Sequence, residues 1–330
     1  MIMKRSTRII TGLRVSTLAI LIIFLCFSCK RKDIDLEVTP LIKPVLSSVK
    51  VEKIKVNTAT VVLTLTPNGD TRVYYELDND LDSLPDIYNG TDLIEILIDL
   101  SNLERNTQYS LGVRAINPAG EATSNNISFK TYAAKDYNGN LYNSVVIGDQ
   151  EWLTENLKAT NFSNGGIIQN VTDPNEWGSV TVPAYCWYEN NESNKVTCGV
   201  LYNWNTTKFV FIDGWHVPSV EECKELDSLL GGPIVAGPKL ISSLDYWTGL
   251  VVPGTNESGF NALPSGMFFL DSISGSFVFS GLREEFASWT ASEINKSYAW
   301  CAVIRNEFVV AELQQQDKPN GYSIRLIKNK

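Results

Sequence analysis

Leu103-Glu-Arg-Asn-Thr107-Gln-Tyr109-Ser-Leu111-Gly-Val113-Arg-Ala115-Ile-Asn117-Pro-Ala-Gly120 decides how the first half of the chain is read. From Tyr109 onward the apolar residues Leu111, Val113 and Ala115 recur at every second position, the period of a strand with one buried face. Asn117-Pro-Ala-Gly120 then interrupts the alternation with turn-forming residues. Similar short runs surround this one, at Val45 to Ile54, Thr60 to Thr66, Arg72 to Leu77, Asp92 to Leu100 and Asn126 to Thr131. No helical period of useful length occurs among them, so residues 40–133 are expected to form an antiparallel β-sandwich. Pro67-Asn68-Gly69-Asp70 supplies the left-handed backbone positions of a tight turn between two of the strands.

The same stretch resembles the most recognisable part of fibronectin type III domains. The resemblance implies that Leu103 and Tyr109 sit at a corner of the sandwich, that the tyrosine hydroxyl bonds back to the backbone, and that Val113 and Ala115 point into the core. The tryptophan usual on the second strand of that family is absent, and Leu65 is the nearest replacement. There is no Arg-Gly-Asp loop, so the expected role of this domain is that of a spacer.

Upstream, Lys4, Arg5, Arg8 and Arg14 precede an unbroken apolar run from Leu18 to Phe27 that ends in Ser28-Cys29. This is the layout of a secretory signal peptide over residues 1–28, and the run is about half of the roughly 20 residues a membrane-crossing helix needs. Leu25-Cys26-Phe27-Ser28-Cys29 resembles the lipobox of bacterial lipoproteins, which implies acylation of Cys29, with a lipid membrane as its partner, and anchoring of the mature chain at the outer membrane. Residues 29–39 read as a charged tether. Without the leader the chain keeps 24 basic against 37 acidic residues, a net charge of −13 where the full chain has −9. So acidic a surface, with no Lys/Arg cluster beyond the N-terminus, excludes nucleic acid as a partner.

All eight tryptophans lie beyond residue 150, and this shift in composition marks a second domain over 135–330. Asn138-Gly139 and Gly148-Asp149 cut Tyr137 to Leu153 into hairpin strands. Ser219 is positioned to cap a helix, with Glu222 completing a capping box. Val220, Cys223, Leu226, Leu229 and Leu230 form the expected buried stripe, and Gly231-Gly232 ends the helix. Strands are expected at Ser288 to Ser292, Tyr298 to Arg305, Phe308 to Leu313 and Gly321 to Ile327, which makes the domain α+β and the whole chain multidomain.

Several ordered motifs of this half resemble the Fibrobacter succinogenes major paralogous domain. They are Ile147-Gly-Asp-Gln-Glu-Trp152-Leu-Thr-Glu-Asn156-Leu157, Gly199-Val-Leu-Tyr-Asn-Trp204, Gly214-Trp215-His216-Val-Pro-Ser219, Gly259-Phe-Asn-Ala-Leu-Pro-Ser-Gly266, Ser288-Trp289-Thr-Ala-Ser292 and Ser323-Ile-Arg325-Leu326. The resemblance implies a fold akin to C-type lectins and formylglycine-generating enzymes, on a secreted or surface protein. It also implies a disulfide between Cys186 and Cys198, a pair common in the family. Cys223 and Cys301 are either bonded to each other or buried thiols.

Chemistry is hard to find in this sequence. The single histidine, His216, cannot build a multi-histidine metal centre, and no nucleophile elbow, metal helix, calcium loop or phosphate loop occurs. Trp215, His216, Ser219 and Trp289 read as structural, and no catalytic residue, metal or cofactor is expected. Indoles that escape the core would stack on sugar rings. Trp177 and Trp187, in Asn-rich surroundings, are the expected exceptions. The expected function is therefore binding of a glycan or protein ligand at the cell surface or periplasmic face, and the alternative is an assembly component of the envelope.

Overall fold

The computed structural model describes residues 7–10, 40–209, 211–242 and 246–330. Cys29 and the tether lie outside the described residues, as does the expected signal peptide apart from residues 7–10. The chain is mostly β and divides into two compact units, Met1–Thr131 and Tyr132–Lys330.

The first unit is a β-sandwich. One sheet runs β1 (Thr7–Ile10), β6 (Ile94–Ser101), β3 (Thr58–Thr66), β2 (Val45–Glu52). The other runs β5 (Asp80–Tyr88), β4 (Thr71–Leu77), β7 (Gln108–Asn117), β8 (Gly120–Thr123), with β9 (Ile127–Lys130) also pairing β7. Alternation sorts the side chains: Val61, Leu63 and Leu65 of β3 meet Leu111, Val113 and Ala115 of β7 in one buried cluster. Leu65, standing where the related domains carry an indole, is fully buried. The Tyr109 hydroxyl accepts the Glu104 backbone N–H at 2.7 Å while its ring stacks on Phe129, and Asn68 and Gly69 take the positive φ that the tight turn requires.

The second unit is built from small sheets and short helices. Its central sheet runs β12 (Ser144–Ile147), β13 (Gln150–Leu153), β23 (Ile327–Lys328), β17 (Trp215–His216). The penultimate stretch of the chain is thus inserted between two earlier strands. A three-stranded antiparallel sheet, β20 (Glu285–Glu293), β21 (Tyr298–Arg305), β22 (Glu312–Asp317), lies against α3 (Val220–Leu229). Ser219 caps α3 and forms the full capping box with Glu222. Next comes α4 (Pro233–Leu240), whose Gly237 approaches the following chain so closely that a Cβ would stand 2.2 Å from the Val309 carbonyl oxygen.

Three expectations are corrected at the level of elements. The strand expected at Phe308 to Leu313 begins at Glu312. The one expected at Gly321 to Ile327 is reduced to isolated bridges at Gly321, Tyr322 and Ser323 and the two-residue β23. On α3, Leu229 is exposed, and the buried stripe is completed by Asp227, four residues beyond Cys223 and one turn away on the same face.

Candidate functional site

Six of the eight tryptophans fill the core, and Trp177 is among them. It ends α1 (Pro174–Trp177), is 1% exposed, donates its Nε1–H to the Pro319 carbonyl at 2.6 Å, and packs edge-on against Phe268. The polar residues beside it in sequence face solvent while the indole turns inward, so it is no ligand platform. Trp187 is half-buried, leans on the main cluster and meets Tyr185 edge to face, with its Nε1 buried and without a hydrogen-bond partner among the described residues.

The disulfide expected between Cys186 and Cys198 is absent, and of the two alternatives for Cys223 and Cys301 the structure has the buried thiols: all four cysteines are free and buried. Cys186 sits in an apolar cluster with Val171, Trp177 and Leu201. Burial raises the pKa of all four thiols, that of Cys198 to about 11, so each stays protonated at neutral pH and acts as a small apolar side chain.

The remaining sequence-selected residues form a brace. His216 Nδ1 meets Asn329 Oδ1 at 2.7 Å, and Nε2 meets Glu222 at 3.0 Å. Burial of Glu222 opposes its charge, but hydrogen bonds from the Ser219 backbone and hydroxyl, together with His216, outweigh it and hold the carboxyl below its ordinary pKa. One short cluster thereby ties the helix start to the chain terminus. Trp215 is buried, and Trp289 donates to the Tyr202 carbonyl at 2.8 Å.

Arg325, quoted above only as part of a motif, clasps this architecture. It is 1% exposed, and all five N–H groups are used: Nε and one terminal nitrogen reach Asn156 Oδ1, and the others reach the carbonyls of Leu153, Phe260 and Asn261. Its plane also lies over the Phe260 ring at 4.6 Å. Burial lowers its pKa to about 9, still high enough to keep the charge at neutral pH. The loop it holds turns through positive φ at Gly259, Asn261 and Gly266, as a backbone that presents its carbonyls inward requires.

A partly exposed aromatic face lies on the three-stranded sheet. In β21, Ala299, Cys301 and Val303 point into the core, so the opposite phase of the alternation carries Tyr298, Trp300, Ala302 and Ile304. Ala302 and Ile304 pack in the cluster that includes Cys223 and Leu226 of α3. Tyr298 and Trp300 belong to none of the four core clusters and are half-exposed. Across the strand pair, Trp300 is in register with Gln315, and Tyr298 with Asp317, both exposed. Among the described residues, the Trp300 indole, the Gln315 amide and the Asp317 carboxylate make no side-chain hydrogen bond to protein. Aromatic area is therefore combined with uncommitted donors and acceptors on one rigid surface. The sequence carried the signal: with Cys301 inward, strand alternation turns Trp300 outward.

A sandwich followed by a helix-and-sheet unit with an aromatic, amide-bearing face defines a modular, mostly β protein. Residues 145–328 match the Fibrobacter succinogenes major domain, and the chain belongs to that family. No curated protein matches the chain. Among solved structures, a computationally redesigned β-sandwich protein is 24% identical over 28% of this chain and 96% of that chain, with a TM-score of 0.21. The sensor domain of the anti-sigma factor RsgI4 from Pseudobacteroides cellulosolvens is 16% identical over 28% of this chain and 91% of that chain, at 0.22. A fibronectin type III domain from the human KIAA0970 protein is 19% identical over 31% of this chain and 81% of that chain, at 0.20.

Proposed function

We propose that this chain is a non-enzymatic lipoprotein of the bacterial cell envelope. Acylated Cys29, left as the first residue once residues 1–28 and β1 with them are removed, holds it at the outer membrane, on the surface or periplasmic face. The fibronectin type III-like unit serves as a spacer, and the second unit, an α+β domain of C-type-lectin-like type, binds a glycan. The lipobox-like sequence ending at Cys29 supports the anchor.

The observation that carries the binding reading is the Trp300 face. An indole stacks on the apolar face of a sugar ring, while Gln315 and Asp317 offer acceptors and donors to ring hydroxyls from positions fixed by the sheet register. Glycan-array binding by the full chain, repeated with Trp300→Ala, tests it. A signal lost in the variant is expected. An array without signal, with protein partners recovered by cross-linking, would refute the glycan reading.

An assembly role is the second reading, and it is favoured by exposed apolar side chains on neighbouring segments. Ile234 and Phe308 are largely exposed, and Pro233 accepts a hydrogen bond from Ala311; Val251, exposed as well, bonds through its N–H to Asn306.

A further inference from the structure

A cavity of about 40 Å³, partly open to solvent, lies where α3 faces the three-stranded sheet. Its walls are mainly apolar, with Trp152, Leu226, Phe260, Phe286 and Ile304 among them. The polar groups that reach it are nearly all committed. Arg325 has spent its five donors, the Ser288 hydroxyl accepts the Arg325 backbone N–H, and Glu312 accepts from Gln314 and faces Arg305. Asp227 differs. It is 8% exposed, lines the cavity, and its carboxylate makes no hydrogen bond or ion pair among the described residues.

Asp227 also breaks three local rules at once. Aspartate is a weak helix former. In the last turn of α3 its charge faces the negative end of the helix dipole. It occupies a buried-stripe position where a leucine would fill the space. Uncompensated local penalties of this kind collect at functional positions.

We infer that this cavity binds the ammonium end of a short primary alkylamine, with the Asp227 carboxylate accepting hydrogen bonds from the nitrogen and the apolar wall taking the methylenes. Size and charge decide the class. One water needs roughly 10–15 Å³ of such volume, so the cavity takes an ammonium with two or three methylenes, whereas whole-ligand pockets run to roughly 300 Å³ and more. Two carboxylates, Asp227 and Glu312, line it against one guanidinium, Arg325, and α3 itself carries Glu221, Glu222, Glu225 and Asp227 against the single Lys224, a net negative balance that draws a cation inward. The inference does not depend on the Trp300 face.

Two sources share this chemistry, a free amine and a lysine side chain. The test is nuclear magnetic resonance titration of the full chain at pH 8 with n-propylammonium chloride, with n-propanol, and with Nα-acetyl-lysine methylamide. Saturable shifts of the α3 amides and of the Asp227 side-chain carboxyl are expected with an amine, at least tenfold weaker with the alcohol, and lost in Asp227→Asn. Saturation also lowers the pH at which Asp227 ionises. Binding by the lysine amide assigns a lysine side chain as the source, and binding by propylammonium alone assigns a free amine. Equal binding of n-propanol to the unaltered chain, undiminished binding in the variant, or no saturable binding of either amine overturns the inference.

Discussion

Replacing Asp227 by asparagine should change how stability depends on pH. Burial raises the Asp227 carboxyl from 3.8 to about 7. A carboxyl that binds its proton more tightly in the fold than in the unfolded chain stabilises the fold fully below about pH 4, and that contribution is lost as pH rises to about 7. Fully expressed, the loss is about 4 kcal/mol; solvent access through the cavity screens it to about 2 kcal/mol. Asparagine has the shape of the protonated acid and does not titrate. The variant should therefore match the unaltered protein near pH 4 and exceed it by about 2 kcal/mol at pH 8. Urea unfolding followed by tryptophan fluorescence reports the second unit alone, because every tryptophan lies there. Parallel pH profiles for the two proteins between pH 4 and 8 would show that Asp227 is solvated and that the reasoning is wrong.

Other substitutions separate scaffold from surface. Trp300→Ala should change unfolding free energy by less than about 1 kcal/mol, whereas Trp289→Ala, which empties a fully buried site, should cost about 3–5 kcal/mol in the same urea experiment. Arg325→Met strands the Leu153, Phe260 and Asn261 carbonyls and should cost at least about 3 kcal/mol, read as a lowered thermal midpoint. Ser219→Ala removes the α3 cap at a cost of about 1 kcal/mol by the same measure. Peptide mapping under non-reducing conditions should return Cys186 and Cys198 as free thiols, and a linked peptide pair would contradict the structure.

Local chemistry was readable wherever a few neighbouring residues decide the outcome. The alternation of β7, the Asn68-Gly69 turn and the Ser219–Glu222 box each follow from such short-range patterns. Elements stabilised by tertiary position were not. β5 carries Asp80, Asp82, Pro85 and Asp86, a poor strand composition that an edge strand tolerates and even requires to discourage further pairing. α4 holds a glycine and an internal proline and exists because its Gly237 face fits against Val309. β22 has the run Gln314-Gln315-Gln316, which shows no apolar period. At the candidate site, Asn-rich neighbours pointed to Trp177, yet neighbours in sequence say little about which way an indole turns. Strand parity, which does say so, singles out Trp300 once Cys301 is known to face inward. Likewise Asp227 stands at the spacing of the helix's own apolar stripe, where its presence inside could be anticipated.

The insertion of β23 between β13 and β17, with Arg325 completing the hydrogen bonds of segments 64 to 172 residues upstream, sets an order of events during synthesis. Ile327 supplies the register partner of both Trp152 and His216. Ribosomes deliver a chain from its beginning, so this half waits, with its hydrophobic interior unsealed, until residues 325–328 have been made. The sandwich ahead of it has all its strands by residue 130 and is free to mature first. A nascent polypeptide stalled at residue 320 would carry one finished module and one that cannot close.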